Sequence, residues 1–159
     1  MVLDSVASDQ DRRQIAAEDL KVGMIVAERK VVLDDRAFAM FSALTGDKHP
    51  IHYSDDYARS HGLRAPISHG LLIVAMTALG ATEVSERLYD SMIAMVGVNA
   101  KFLSPVYLGE AVVIRIRVGD LQLKSKGLSL VRFDVDIVSE DNVRKANVSQ
   151  AFLLKSTLT

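Results

Sequence analysis

Residues 71–81 carry a single polar side chain, Thr77, and no charge. They lie within a segment, 69–87, that reads as one helix apolar on nearly every side. Such a helix cannot rest on the outer face of a sheet, where one flank would stand in water. It has to be enclosed. The run is too short to span a bilayer, which takes about 20 apolar residues, so no membrane partner is expected.

The surrounding sequence supplies the enclosure. Residues 23–33 and 91–103 are rich in Val, Ile and Met and read as strands. Ile114, Ile116 and Val118 alternate with Arg115 and Arg117, the pattern of a strand wet on one face. Phe133, Val135 and Ile137 alternate with Arg132, Asp134 and Asp136, and an extra residue between Leu130 and Phe133 points to a bulge or a shift of face there. Ser139 to Asn142 form a hairpin turn, and 143–155 is the last strand. Helices first and hairpin-joined strands afterwards make an α+β pattern with an antiparallel sheet curled around the buried helix. Residues 1–17 read as a flexible tail and 18–159 as one domain.

Charge excludes some partners. Nineteen basic and 20 acidic side chains leave a net charge of −1, so nothing draws the chain to nucleic acid. Arg115, Arg117, Lys124 and Lys126 read as a solvated strand face. The absence of cysteine excludes disulfide and thiolate chemistry and is compatible with a cytoplasmic location.

The polar groups with chemical promise cluster in two short segments. Ahead of the first, Asp34 or Asp35 caps a helix whose apolar stripe is Ala37, Phe41 and Leu44, and Gly46 stops it. Asp47 and His52 then flank a turn stiffened by Pro50. A carboxylate and an imidazole so placed can share one water, taking and returning its proton. Spacing alone equally allows a capping aspartate and a surface histidine. Ser54 caps the next short helix. In the second segment, Ser68-His69-Gly70 opens the apolar helix, and its first amides lack partners. They suit a polarised carbonyl oxygen, and Gly70 admits a substrate close to the backbone, although Ser68 as an ordinary cap accounts for the pattern too. Asp47, His49, His52 and His69 have ligand chemistry, but their spacing matches no zinc pattern, so no metal is expected.

Residues 41–52, Phe-Ser-Ala-Leu-Thr-Gly-Asp-Lys-His-Pro-Ile-His, resemble the hydratase motif of the MaoC-like dehydratases, the (R)-specific enoyl-CoA hydratases. Residues 65–72, Ala-Pro-Ile-Ser-His-Gly-Leu-Leu, are similar to that family's second signature. Residues 102–106, Phe-Leu-Ser-Pro-Val, with Gly109-Glu110, resemble its third. The three blocks follow the family's order and spacing. The resemblance implies a hot-dog fold, a long helix wrapped by a curved antiparallel sheet, and a homodimer or higher homo-oligomer.

It further implies an acyl-CoA hydratase or dehydratase that works on the 2,3 double bond of an enoyl-CoA thioester. Asp47 and His52 would activate water, and the Gly70 amide would hold the thioester oxygen. Coenzyme A would belong to the substrate, with no other cofactor. His49, Ser68 and His69 would border the pocket. Two departures stand out: His49 replaces the motif's asparagine, and Ala78 occupies a position where some hydratases carry a serine. A hot-dog thioesterase and a non-catalytic acyl-thioester-binding module remain the competing readings.

Overall fold

The computed structural model describes residues 13–158. Five strands form one antiparallel sheet: β1 (Ile25–Val32), β2 (Met92–Phe102), β3 (Ala111–Leu123), β4 (Leu128–Ser139) and β5 (Arg144–Lys155). Their order is β1-β3-β4-β5-β2. The helices α1 (Asp35–Thr45), α2 (Asp55–Ser60), α3 (Gly70–Ala75) and α4 (Glu83–Arg87) lie between β1 and β2 in sequence. The α+β class and the antiparallel sheet are as expected.

Alternation builds the core. Val112, Ile114, Ile116 and Val118 of β3 are buried beside Val131, Phe133, Val135 and Ile137 of β4. Leu72, Ile73, Leu79 and Leu88 from the helical segment join the same cluster. Each fully buried aliphatic side chain contributes about 1.5–3 kcal/mol relative to its exposed state. The opposite face is polar, as foreseen for Arg115 and Arg117. Arg117 pairs with Asp136 at 3.0 Å and Arg115 with Glu28 at 2.6 Å. These pairs are partly solvated and add little stability.

The long helix forms in pieces. After α3 the chain turns through Thr77 and Ala78, makes a 3₁₀ turn at Leu79–Ala81, and resumes as α4. The amides of Thr77 and Ala78 bond three residues back rather than four, and the Thr77 hydroxyl donates to the Val74 carbonyl at 2.6 Å. A side-chain hydroxyl that takes a helical carbonyl competes with the ladder and bends it. The enclosure is also partial. Leu72 and Ile73 are buried, whereas Leu71 is 71% exposed.

Three smaller expectations need correction. The buried stripe of α1 is centred on Phe38, with Phe41 and Ala37 packed beside it, and Leu44 is 85% exposed. Of the two readings at Leu130 the bulge fails and the shift of face holds: no extra residue interrupts β4, and Val131, not Leu130, faces the core. The bulge is in β3, between Val118 and Asp120, where Gly119 leaves room for the Asp134 carboxylate. Of the expected tail, residues 1–12 lie outside the described residues. Ile15, Ala16 and Ala17 are buried, and the Ile15 amide donates to the Arg87 carbonyl.

Among the described residues no helix is long and apolar enough to cross a membrane.

Candidate active site

The turn carrying Asp47 is built locally. Asp34 caps α1 by accepting from the Ala37 amide, and Gly46 ends it in the left-handed conformation, φ 79°. There a side chain would cost strain. The Asp47 carboxylate then accepts the His49 amide at 3.2 Å, and His49 Nδ1 accepts the Ile51 amide at 3.3 Å. His49 thus serves as a cap, a role asparagine also fills well. Its ring lies 6.2 Å from that of His52, outside the group of converging ligand atoms.

His52 is positioned from a distance. Its Nδ1 lies 2.7 Å from the Ile67 carbonyl. A carbonyl only accepts, so in the neutral ring Nδ1 bears the proton and Nε2 keeps its lone pair as a base. Ile67 is held in turn by its amide bond to Ile51 and by a bridge to Tyr107.

His69 stacks on His52 with ring centroids 3.8 Å apart. It is almost wholly buried, against Phe38 and Phe41. The Tyr53 hydroxyl donates to the Phe38 carbonyl at 3.2 Å and lies 3.1 Å from His69 Nε2. That arrangement has Nε2 donating to Tyr53, and it leaves the buried Nδ1 without a partner. Burial lowers the His69 pKa and the nearby His52 lowers it further, while Asp47 acts in the opposite direction. Loss of solvation disfavours the charged ring.

The outcome is convergence. One ligand atom from each of Asp47, His52 and His69 lies within 4.8 Å of the other two. An O,N,N set of this kind has the donors a zinc ion takes. It is equally a cage for one water held between a carboxylate and an imidazole.

A cleft of about 400 Å³ opens beside His52, lined also by Ser68, Gly70 and Phe102. Asp47 is exposed and does not line it. Gly70 begins α3, whose first turn receives no side-chain cap. Ser68 is not that cap: its amide donates to Val106, and its hydroxyl donates to the His69 carbonyl at 3.3 Å. The Phe102 ring lies so close over Gly70 that a Cβ there would stand 2.9 Å from Cζ. The far wall of the cleft is braced from below. Lys145 pairs with Glu110 at 2.6 Å and donates to the Pro105 carbonyl at 2.9 Å.

Three participants escaped the sequence reading: Tyr53, the Ile67 carbonyl and the Phe102 ring. Phe102 belonged to a matched block but carried no role. Tyr53 adjoins His52 in sequence, and only its reach to Phe38 and His69 reveals it.

The sheet curved over a segmented central helix defines a hot-dog protein. The structure superposes on the (R)-hydratase PhaJ1 of Pseudomonas aeruginosa with a TM-score of 0.70 at 21% identity, over 91% of this chain and 88% of that one. The MaoC like domain matches residues 20–139, and the chain belongs to that family. It is 27% identical to a 3-hydroxybutyryl-CoA dehydratase of Methylorubrum extorquens, over 69% of this chain and 67% of that one. It is also 27% identical to an (R)-specific enoyl-CoA hydratase of Rhodospirillum rubrum, over 69% and 73%.

Proposed function

We propose that this protein is an acyl-CoA hydratase or dehydratase that adds water across, or removes it from, the 2,3 double bond of an enoyl-CoA, with (R) stereochemistry. The observation that carries the reading is the convergence of Asp47 and His52 next to the cleft where Gly70 opens α3. Family membership and the two hydratase and dehydratase relatives support the reaction class.

The residues divide the work. Water sits between the Asp47 carboxylate and His52 Nε2. These groups take one of its protons as its oxygen attacks C3 of the enoyl thioester. Electron density moves to the thioester oxygen, which the Gly70 N–H meets as charge develops. The proton returns to C2 on the same face and closes the balance: H and OH added, nothing oxidised. Dehydration is the same path reversed. Coenzyme A enters as part of the substrate. The step calls for neither a metal nor a redox cofactor; Asp47 and His52 act on water, and His69 backs the His52 ring.

We assign the assembly as a homodimer through β2. This strand ends the sheet and exposes Ile93, Met95, Val96 and Val98, which together present apolar groups on both of its faces. An uncovered apolar edge is a pairing surface. Molar mass by light scattering should equal two chains.

The decisive assay follows the loss of enoyl-thioester absorbance on adding crotonyl-CoA. Asp47→Asn should lower turnover by about 100- to 10,000-fold. Its melting temperature should hardly move, because Asp47 is exposed. Undiminished hydration by that variant removes Asp47 from the mechanism. Release of free coenzyme A in place of hydration turns the reading to a thioesterase.

A further inference from the structure

β5 breaks its register with β4 beside Lys145. Ile137 of β4 pairs with Ala146 and Val138 with Arg144, so Lys145 is an extra residue without a partner in β4. A bulge of this kind re-aims a side chain. Lys145 and Ala146 are neighbours and both are buried, where a regular strand would send one of them outward. The bulge thus carries an ammonium group inside, to 6% exposure.

Lys145 grips the chain just after β2. Its Nζ donates to the Pro105 carbonyl at 2.9 Å, and its own carbonyl accepts from the Leu103 and Ser104 amides. Nζ also meets Glu110 Oε1 at 2.6 Å. The other carboxylate oxygen of Glu110, Oε2, accepts the Tyr107 amide at 2.9 Å. Glu110 itself stands on a fixed base, because its carbonyl accepts the Leu33 amide and Gly109 donates to the Leu33 carbonyl. Taking an ion pair out of water gains a fold little, and an apolar pair of equal volume often serves stability as well. What these two side chains supply instead is direction: one charge-assisted hydrogen bond on Pro105 and one on Tyr107.

The route from there ends at the base. Tyr107 faces Ile67 in an antiparallel bridge closed by two bonds, Ser68 N–H to the Val106 carbonyl and Leu108 N–H to the Pro66 carbonyl. Ile67 lies between those bonds, so its own amide and carbonyl point away from Tyr107, to the Ile51 carbonyl and the His52 ring. The Tyr107 amide likewise points away from the bridge, to Glu110. The Ile67 carbonyl, 2.7 Å from His52 Nδ1, selects the tautomer with a bare Nε2. Each polar contact along this route is 3.0 Å or shorter.

We propose that Lys145 and Glu110 are positioning residues for the hydration step: through residues 105–108 they hold the Ile67 carbonyl against His52 and so fix its basic tautomer. The inference rests on the hydratase reading and adds two residues that do not line the cleft. Small movements of a base matter, since about 1 Å of misplacement can cost about 100-fold in rate.

The test compares Lys145→Met, which leaves Glu110 without its partner, with Lys145→Met/Glu110→Gln, which removes both charges and keeps an oxygen for the Tyr107 amide. The readouts are crotonyl-CoA hydration and the NMR shifts of the two His52 ring nitrogens. In the wild type the neutral ring should be a single tautomer, protonated on Nδ1. In both variants kcat and kcat/KM should fall together, about tenfold or more, and the two nitrogen shifts should move toward a common average. Ile116→Ala, a truncation in the core of β3, should lower the urea midpoint and leave the His52 tautomer and the turnover of folded protein as they are. A double variant with wild-type kcat and a single Nδ1–H tautomer reduces the pair to stabilisation and overturns the proposal. A lower kcat beside an unchanged tautomer overturns it too. So does a wild type with mixed tautomers or with the proton on Nε2, a result that needs no variant to fold. If the wild type does not hydrate crotonyl-CoA, the reaction reading falls, and the tautomer series still decides whether the pair positions His52.

Discussion

Two segments bring their groups to one spot, and they are made differently. Residues 47–50 form an exposed turn tied by bonds between near neighbours, Asp47 to the His49 amide and His49 to the Ile51 amide, and only the half-buried His52 at its end is held by a remote group, the Ile67 carbonyl. Residues 67–70 are far more buried, and remote strands and loops hold them. Ser68 bonds to Val106, Ile67 to Ile51, and Pro66 accepts from Leu108. The contrast separates two duties. On the turn a side chain can be changed for its chemistry with little cost to the fold. In the buried segment chemistry and stability share the same atoms.

That division can be attacked directly. Gly70→Ala should have the largest effect within the buried segment. The new methyl meets the Phe102 ring at 2.9 Å, and the half-exposed ring has to swing across the cleft. We expect kcat/KM for crotonyl-CoA to fall about 100-fold, comparable to the loss of an oxyanion donor. Phe102→Ala in the same background should recover part of it, and no recovery would mean that the ring is not the cause.

His69→Gln should cost about 2 kcal/mol in urea unfolding, since a buried ring packed on Phe38, Phe41, His52 and Tyr53 is lost. It should also change the dependence on pH. The His69 pKa is lowered in the folded chain, so at acid pH the unfolded chain binds the extra proton. Stability from the neutral ring is fully present above the unfolded value, about 6.5, and declines as pH falls through that value toward the folded one. The wild type should therefore lose stability below pH 6.5 more steeply than His69→Gln, by up to about 1.4 kcal/mol per pH unit. Parallel curves for the two proteins would show that His69 is not the titrating group.

Tyr53→Phe should have the smallest effect, about 1 kcal/mol, because Phe38 O and His69 Nε2 each lose a partner while the ring stays. An unchanged unfolding midpoint would mean that solvent replaces the hydroxyl. Tyr53 would then share the independence of the turn.

Much of this was readable from the chain, where the cause is short-range. Asp34, Gly46 and Ser54 punctuate the helices as their side chains and backbones dictate. The alternation in β3 and β4 matched burial because a strand has no other way to split polar from apolar groups. Misjudgements arose where two readings cost the same locally. Leu44 and Phe38 are both apolar on one helix, and only the position of the core selects Phe38. An unbroken helix over 69–87 is locally sound, and Thr77 breaks it while Gln150, 73 residues away, holds the break in place.

The order of residues along the chain decided that a carboxylate and an imidazole would flank one proline turn, because a few torsions and short hydrogen bonds shape that turn, while their convergence waits on the Ile67 carbonyl. It also decided that one stretch would send Leu72, Ile73 and Leu79 into the core, because water rejects them. The sequence could not decide which nitrogen of His52 meets the Ile67 carbonyl, which way the Gln150 amide points, or that burial lowers the His69 pKa. Each of those depends on a carbonyl, a hydroxyl or a hydrophobic wall delivered from a distant part of the chain, and only the folded backbone brings them within reach.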